Sequence, residues 1–79
     1  MGKEELLKKS YCVIEELTDG EISQDLLDKT NVILELGLDS LKYAQLMLAL
    51  EDYTGLSVQE NNINWAEIRT IDQLTELFL

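Results

Sequence analysis

No histidine occurs anywhere in the 79 residues, and cysteine occurs once, at Cys12. These two shortages remove most catalytic and metal chemistry. A serine nucleophile has no imidazole to take its proton, and neither a disulfide framework nor a thiolate zinc site can be built on a single sulfur. On a helical wheel Cys12 falls among Glu5, Lys9 and Glu16, on a polar side, with no activating group evident in the sequence. It reads as an incidental exposed thiol, the alternative being a weak redox or dimerisation site. Proline is missing as well, and there is no repeat or low-complexity tract. Residues 1–79 therefore read as a single domain without a linker. A chain this short buries only about 60% of its unfolded surface, so every helix face has to be used.

Long apolar runs are also missing. Nothing approaches the roughly 20 residues of a membrane span, and Lys3 to Lys9 is charged where the apolar core of a signal peptide would stand. The expectation is a cytoplasmic protein with no membrane partner. Gly2 suggests myristoylation, but Leu6 occupies the position that needs Ser or Thr. Basic residues are scarce: 6 Lys and Arg face 16 Asp and Glu, a net charge of -10. Nucleic acid is excluded as a partner, because a negative protein gains nothing from counterion release. An acidic surface serves either plain solubility or steering toward basic patches on other proteins.

What is present is a helical pattern, with 46% hydrophobic residues in helix-period clusters. Residues 3–17 place Leu6, Leu7, Tyr11, Val13, Ile14 and Leu17 on one broad face, and Gly20 fits the stop. From Asp19 to Asp39 runs a long acidic connection in which Ile22, Leu26, Leu27, Val32, Ile33, Leu36 and Leu38 are the available anchors. Leu26 with Leu27 suits a short helical turn, and Gly37 permits a tight redirection of the backbone. Residues 40–53 form the second strong helix, capped by Asp39 or Ser40.

That second helix carries two apolar stripes. Tyr43, Leu46, Met47, Leu50 and Tyr53 make the wider one, which should face the core, while Leu41, Ala44 and Leu48 recur on a separate side. The second stripe either packs against another neighbour or is kept for a partner. Gly55 ends the helix. Asn64 with Glu67 offers a capping box for a short turn holding Trp65 and Ile68, and Thr70 with Gln73 repeats the device ahead of a last helix buried through Ile71, Leu74, Leu77 and Phe78.

Ser40 stands at a helix start, where backbone N–H groups and the dipole favour an attached anion. Taken alone it reads as an ordinary cap. The run Gly37-Leu38-Asp39-Ser40-Leu41 lacks the second glycine of a nucleophile elbow, so a hydrolase reading finds no support.

The whole of Leu36-Gly37-Leu38-Asp39-Ser40-Leu41, with the second helix ending in Leu50-Glu51-Asp52-Tyr53, then Gly55-Leu56, and with Thr70-Ile71 opening the last helix, resembles the acyl and peptidyl carrier protein family. That resemblance implies an all-α fold, a small four-helix bundle of three main helices plus one short one. It also implies covalent 4′-phosphopantetheine on Ser40, moved there from coenzyme A by a phosphopantetheinyl transferase. The carrier catalyses nothing; the arm holds thioesters for a loading enzyme and for downstream biosynthetic enzymes, and tethering raises the cargo's effective concentration.

Asp39 is carried over as a residue read by the transferase, and Glu51 and Asp52 as acidic partner contacts. Leu41, Ala44 and Leu48 match the apolar positions by which such carriers dock. Lys42 and Gln45 depart from the family pattern, standing where carriers of fatty acid synthesis show acidic residues. The expectation is therefore a free-standing, monomeric carrier in a specialised pathway, loaded with an amino acid or an unusual acyl group. Trp65 either lines an acyl cleft beside Ile63 and Ile68 or packs as an ordinary aromatic. The alternative to a carrier is an unmodified acidic docking module that binds a basic partner through its second helix.

Overall fold

The computed structural model describes residues 2–58 and 65–79, the last segment without the Trp65 side chain. Among them are three α-helices, α1 (Lys3–Leu17), α2 (Ser40–Thr54) and α3 (Ile71–Glu76). Shorter 3-10 turns cover Gln24–Leu26, Ile33–Leu36 and Trp65–Glu67. Among the described residues the architecture is helical, as the resemblance implied, and where a fourth, short helix was expected they show the 3-10 turn Trp65–Glu67. Asn64, and with it the capping box proposed for that turn, lies outside the described residues, as does Ile63.

The core forms where the apolar stripes meet. α1 packs against both α2 and α3, bringing Leu6 and Ile14 against Leu46, Leu50, Ile71 and Leu74, all fully buried. Ile33 and Leu38 close this core from the long connection, and Val58 and Phe78 complete it. Burying a Leu or Ile side chain is worth about 1.5–3 kcal/mol, which makes these positions the main source of stability.

Among the described residues Ser10, Thr18 and Thr75 are buried as well. Their hydroxyls bond back, in that order, to the carbonyls of Leu6 (2.9 Å), Ile14 (3.0 Å) and Asp72 (2.9 Å), which removes the desolvation penalty of an unpaired hydroxyl. Ser10 is four residues from both Leu6 and Ile14 and so lies on the core face of α1 by position, although its polarity keeps it out of the apolar pattern.

Helix ends follow local chemistry. α1 stops because Asp19 and Gly20 both take left-handed backbone (φ 54 and 79), and the Gly20 amide reaches back to the Glu15 carbonyl at 2.9 Å. Gly55 ends α2 the same way, with φ 75 and its amide 2.8 Å from the Glu51 carbonyl. At α3 the expected capping box is present. Thr70 Oγ1 accepts from the Gln73 amide at 3.1 Å, and Gln73 Oε1 accepts from the amides of Thr70 (3.1 Å) and Arg69 (2.8 Å).

The long connection is held more by backbone than by side chains. Val32 and Thr70 form an isolated antiparallel bridge, the Ile33 amide donates to Arg69 O at 2.9 Å, and the Asp72 amide donates to Lys29 O at 2.8 Å. Residues 29–33 are thereby strapped to the start of α3. Ile33 and Leu38 anchor as expected, with Ile22, Leu27, Val32 and Leu36 half-buried. Leu26 does not anchor: it is 78% exposed, because the 3-10 turn around it is fixed by Ser23 Oγ accepting from the Asp25 amide and by Gln24 bonding to Glu15, which leaves Leu26 on the outside. Tyr53 also departs from its expected core position. It is 40% exposed, and its ring carries the ammonium of Lys9 at 5.4 Å from the centroid.

Candidate functional site

Four consecutive residues build the site. Gly37 takes φ 79, a left-handed turn that costs a glycine nothing, and ends the 3-10 helix Ile33–Leu36. Leu38 then plugs into the core at 3% exposure and fixes where the chain leaves it. Asp39 returns to the surface in extended conformation and caps α2, its Oδ1 accepting from the Lys42 amide at 2.8 Å. Ser40 follows as the first helical residue, exposed.

The sequence left the cap of this helix to Asp39 or Ser40. Asp39 fills that role, because it is the extended residue just before the helix, the position from which a side-chain oxygen meets the amide three residues on, whereas Ser40 is already helical. The Ser40 hydroxyl is consequently left without a hydrogen bond among the described residues. Of the amides that a helix start leaves without intrahelical acceptors, that of Lys42 is taken by Asp39. The positive end of the helix dipole remains turned toward whatever Ser40 carries. An exposed, uncommitted hydroxyl at this position fits a phosphodiester, and no imidazole stands near it to make it a nucleophile of its own.

The remaining residues singled out from the sequence lie along α2. Leu41 and Leu48 are 67% and 58% exposed, with half-buried Ala44 between them. Seven residues of helix separate the two leucines by about 10 Å. Asp52 and Gln45 are exposed, whereas Glu51 and Lys42 are half-buried. The second stripe thus faces solvent and not a further helix of the bundle. Leu34 at 73%, Leu26 at 78% and Leu79 at 61% are as bare, and no local pattern separates Leu34 and Leu26 from the buried residues of the same connection. Cys12 is half-buried and not exposed, its Sγ 3.9 Å from Glu16 Oε1 one turn on.

The described residues thus place an exposed hydroxyl at the start of α2 beside the exposed leucines of its second stripe. Residues 13–78 match the family described as phosphopantetheine attachment site, and the chain belongs to that family. Carriers of this family hold 4′-phosphopantetheine covalently, catalyse nothing themselves, are modified by a phosphopantetheinyl transferase and interact with biosynthetic enzymes. No curated protein and no solved structure matches the chain. No helix among the described residues is long and apolar enough to cross a membrane.

Proposed function

We propose that residues 1–79 act as one carrier domain whose attachment residue is Ser40, and that its load is an aminoacyl group or an unusual acyl group of a specialised pathway in the cytoplasm. The observation that carries this reading is the exposed Ser40 hydroxyl, released from capping by Asp39. In the modification step Ser40 Oγ forms a new ester bond to phosphorus, the pyrophosphate link of coenzyme A breaks, adenosine bisphosphate leaves, and the hydroxyl proton passes to the transferase. The thiol of the arm supplies thioester chemistry.

Asp39 is read by the transferase as well as capping α2. Leu41, Ala44 and Leu48 form the apolar dock for partner enzymes, with Glu51 and Asp52 as acidic contacts at its far end. Lys42 and Gln45 break what would otherwise be an acidic helix face, so partners that need an unbroken one bind less well. Those two positions support a specialised pathway over fatty acid synthesis.

Intact mass tests the attachment site. Incubation with a broad transferase and coenzyme A should add one phosphopantetheine, and Ser40→Ala should add none. A wild-type protein that stays bare would favour the unmodified docking module, for which the exposed Leu41 and Leu48 serve equally well.

A further inference from the structure

The buried side chain nearest to Ser40 in the chain is that of Leu38, two residues before it and 3% exposed. On the other side the first is Leu46, six residues on. Between them Ser40, Leu41 and Gln45 are exposed, and Lys42, Tyr43 and Ala44 are half-buried. The opening turn of α2 therefore has little apolar hold of its own on the core. Helix starts of this kind fray unless neighbouring groups tie them down.

The polar ties come from Asp39. Its Oδ1 accepts from the Lys42 amide and its carbonyl from the Tyr43 amide, both at 2.8 Å. Asp39 is itself exposed and extended, so it stays in place only as far as the residue before it does. That residue is Leu38. Among the described residues Leu38 makes no hydrogen bond, and its attachment is the side chain, which lies in the same buried cluster as Ile33 and Leu46. One extended residue separates it from Ser40, which keeps the two Cα atoms within about 7 Å of each other.

We propose that Leu38 is a positioning residue for the modification of Ser40, acting through Asp39 to hold the opening turn of α2 in the form that the transferase binds. The proposal rests on Ser40 bearing the arm. A protein whose competent form is only partly populated binds with an affinity lowered by that fraction. Loosening Leu38 therefore raises the KM for the carrier and leaves kcat, reached at saturation, unchanged. A loss of hold comparable to that of a helix cap gives a change of about three- to tenfold. Core substitutions elsewhere that leave the chain folded keep the competent fraction near one, so they do not move KM.

The test compares Leu38→Val with Ile14→Val, each of which removes one carbon from a buried side chain. Leu38→Ala is the stronger arm, and Leu38→Val carries the comparison should the alanine variant not fold by circular dichroism. Modification of the full chain by a broad transferase at saturating coenzyme A is followed by intact mass, and amide hydrogen exchange is measured at Lys42 and Tyr43. Leu38→Ala should raise KM about three- to tenfold with kcat unchanged, Leu38→Val should raise it by about twofold, and Leu38→Met, which nearly conserves volume, should restore it. Both amides should exchange faster in the Leu38→Ala and Leu38→Val proteins and at the wild-type rate in Ile14→Val. An unchanged KM, a fall in kcat in its place, or KM and exchange changes as large in Ile14→Val would overturn the proposal while leaving the carrier reading intact. A wild-type protein that takes no arm would remove the carrier reading, and this one with it.

Discussion

Asp39 Oδ1 lies 2.8 Å from the backbone nitrogen of Lys42, and that hydrogen bond decides what Ser40 is free to do. Had Ser40 been the cap, its hydroxyl would be engaged and its position fixed against the helix. With Asp39 in that role the two tasks, starting the helix and presenting an oxygen, fall to adjacent residues. Asp39→Ala should therefore cost about 1 kcal/mol of stability, read as a melting-point drop of about 4–8 °C in a domain of this size. Asp39→Asn keeps the acceptor and should restore most of the melting point. If it still slows modification by the transferase, the carboxylate is being read for its charge and not only for its cap.

Leu46 and Leu48 are two residues apart on one helix and should behave oppositely. Leu46 is fully buried, so Leu46→Ala leaves a cavity and costs about 2–5 kcal/mol. A native domain of this length has in total only about 0.05–0.15 kcal/mol per residue to lose. Leu48 is 58% exposed, and Leu48→Ala should change stability by under about 0.5 kcal/mol. Its effect belongs in binding: transfer of the arm and loading by partner enzymes should weaken while the denaturation curve stays put. A destabilised Leu48→Ala protein would mean that the second stripe packs within the bundle.

Much of this layout was legible in the sequence, and the exceptions share a cause. Periodicity placed α1, α2 and the buried faces of Ile14, Leu50 and Leu74, because helix stripes are set locally. Cap chemistry gave Gly55 and the Thr70–Gln73 box, again from adjacent residues. Leu26 and Ile33 could not be told apart, since both are branched apolar residues in an irregular loop. Only the backbone pairing of residues 29–33 with the start of α3 separates them, and a bridge between positions 38 residues apart in sequence, Val32 and Thr70, leaves no local pattern. The site divided in the same way. Ser40 and the Leu41/Leu48 stripe could be picked out from the sequence, whereas only the folded backbone decides between Asp39 and Ser40 as the cap.

Stability should fall at both ends of the pH scale, through different groups. On the alkaline side Tyr43 is raised above its usual value by burial, Tyr11 by burial and then by the nearby carboxylates of Asp28 and Asp72, and Lys3 by its hydrogen bonds to Asp72 and Glu76. Each raised value contributes stability that is complete below the unfolded value, near 10 for tyrosine and 10.5 for lysine, and lost as pH rises through the folded one. On the acid side Asp28 is lowered by the Thr30 amide at 2.8 Å and the Thr30 hydroxyl at 2.9 Å. Its contribution is present above its ordinary value of 3.8 and lost as pH falls through the folded value. Melting temperature against pH should show both limbs. Tyr43→Phe should flatten the alkaline limb, and Thr30→Val should move the acid limb upward in pH.

Salt acts on this protein through two opposed terms, and their sizes settle the direction. Lys3 faces both Asp72 and Glu76 and ties α1 to α3, a contact that added salt weakens. Against it stands a net charge of -10, with Glu21, Asp25, Asp28, Glu35 and Asp39 all exposed along one connection. Exposed ion pairs contribute little, whereas uncompensated like charges act on the whole compact state. Screening the repulsion should therefore win, and the melting temperature should climb by several degrees as sodium chloride rises from about 0.01 M to 0.5 M, where the screening length shrinks from roughly 30 Å to a few ångströms. Lys3→Ala should steepen that climb, because it removes the opposing contacts to Asp72 and Glu76 and adds to the net negative charge. A melting point that falls with salt would show that the Lys3 contact, and not the acidic surface, governs the electrostatics of the fold.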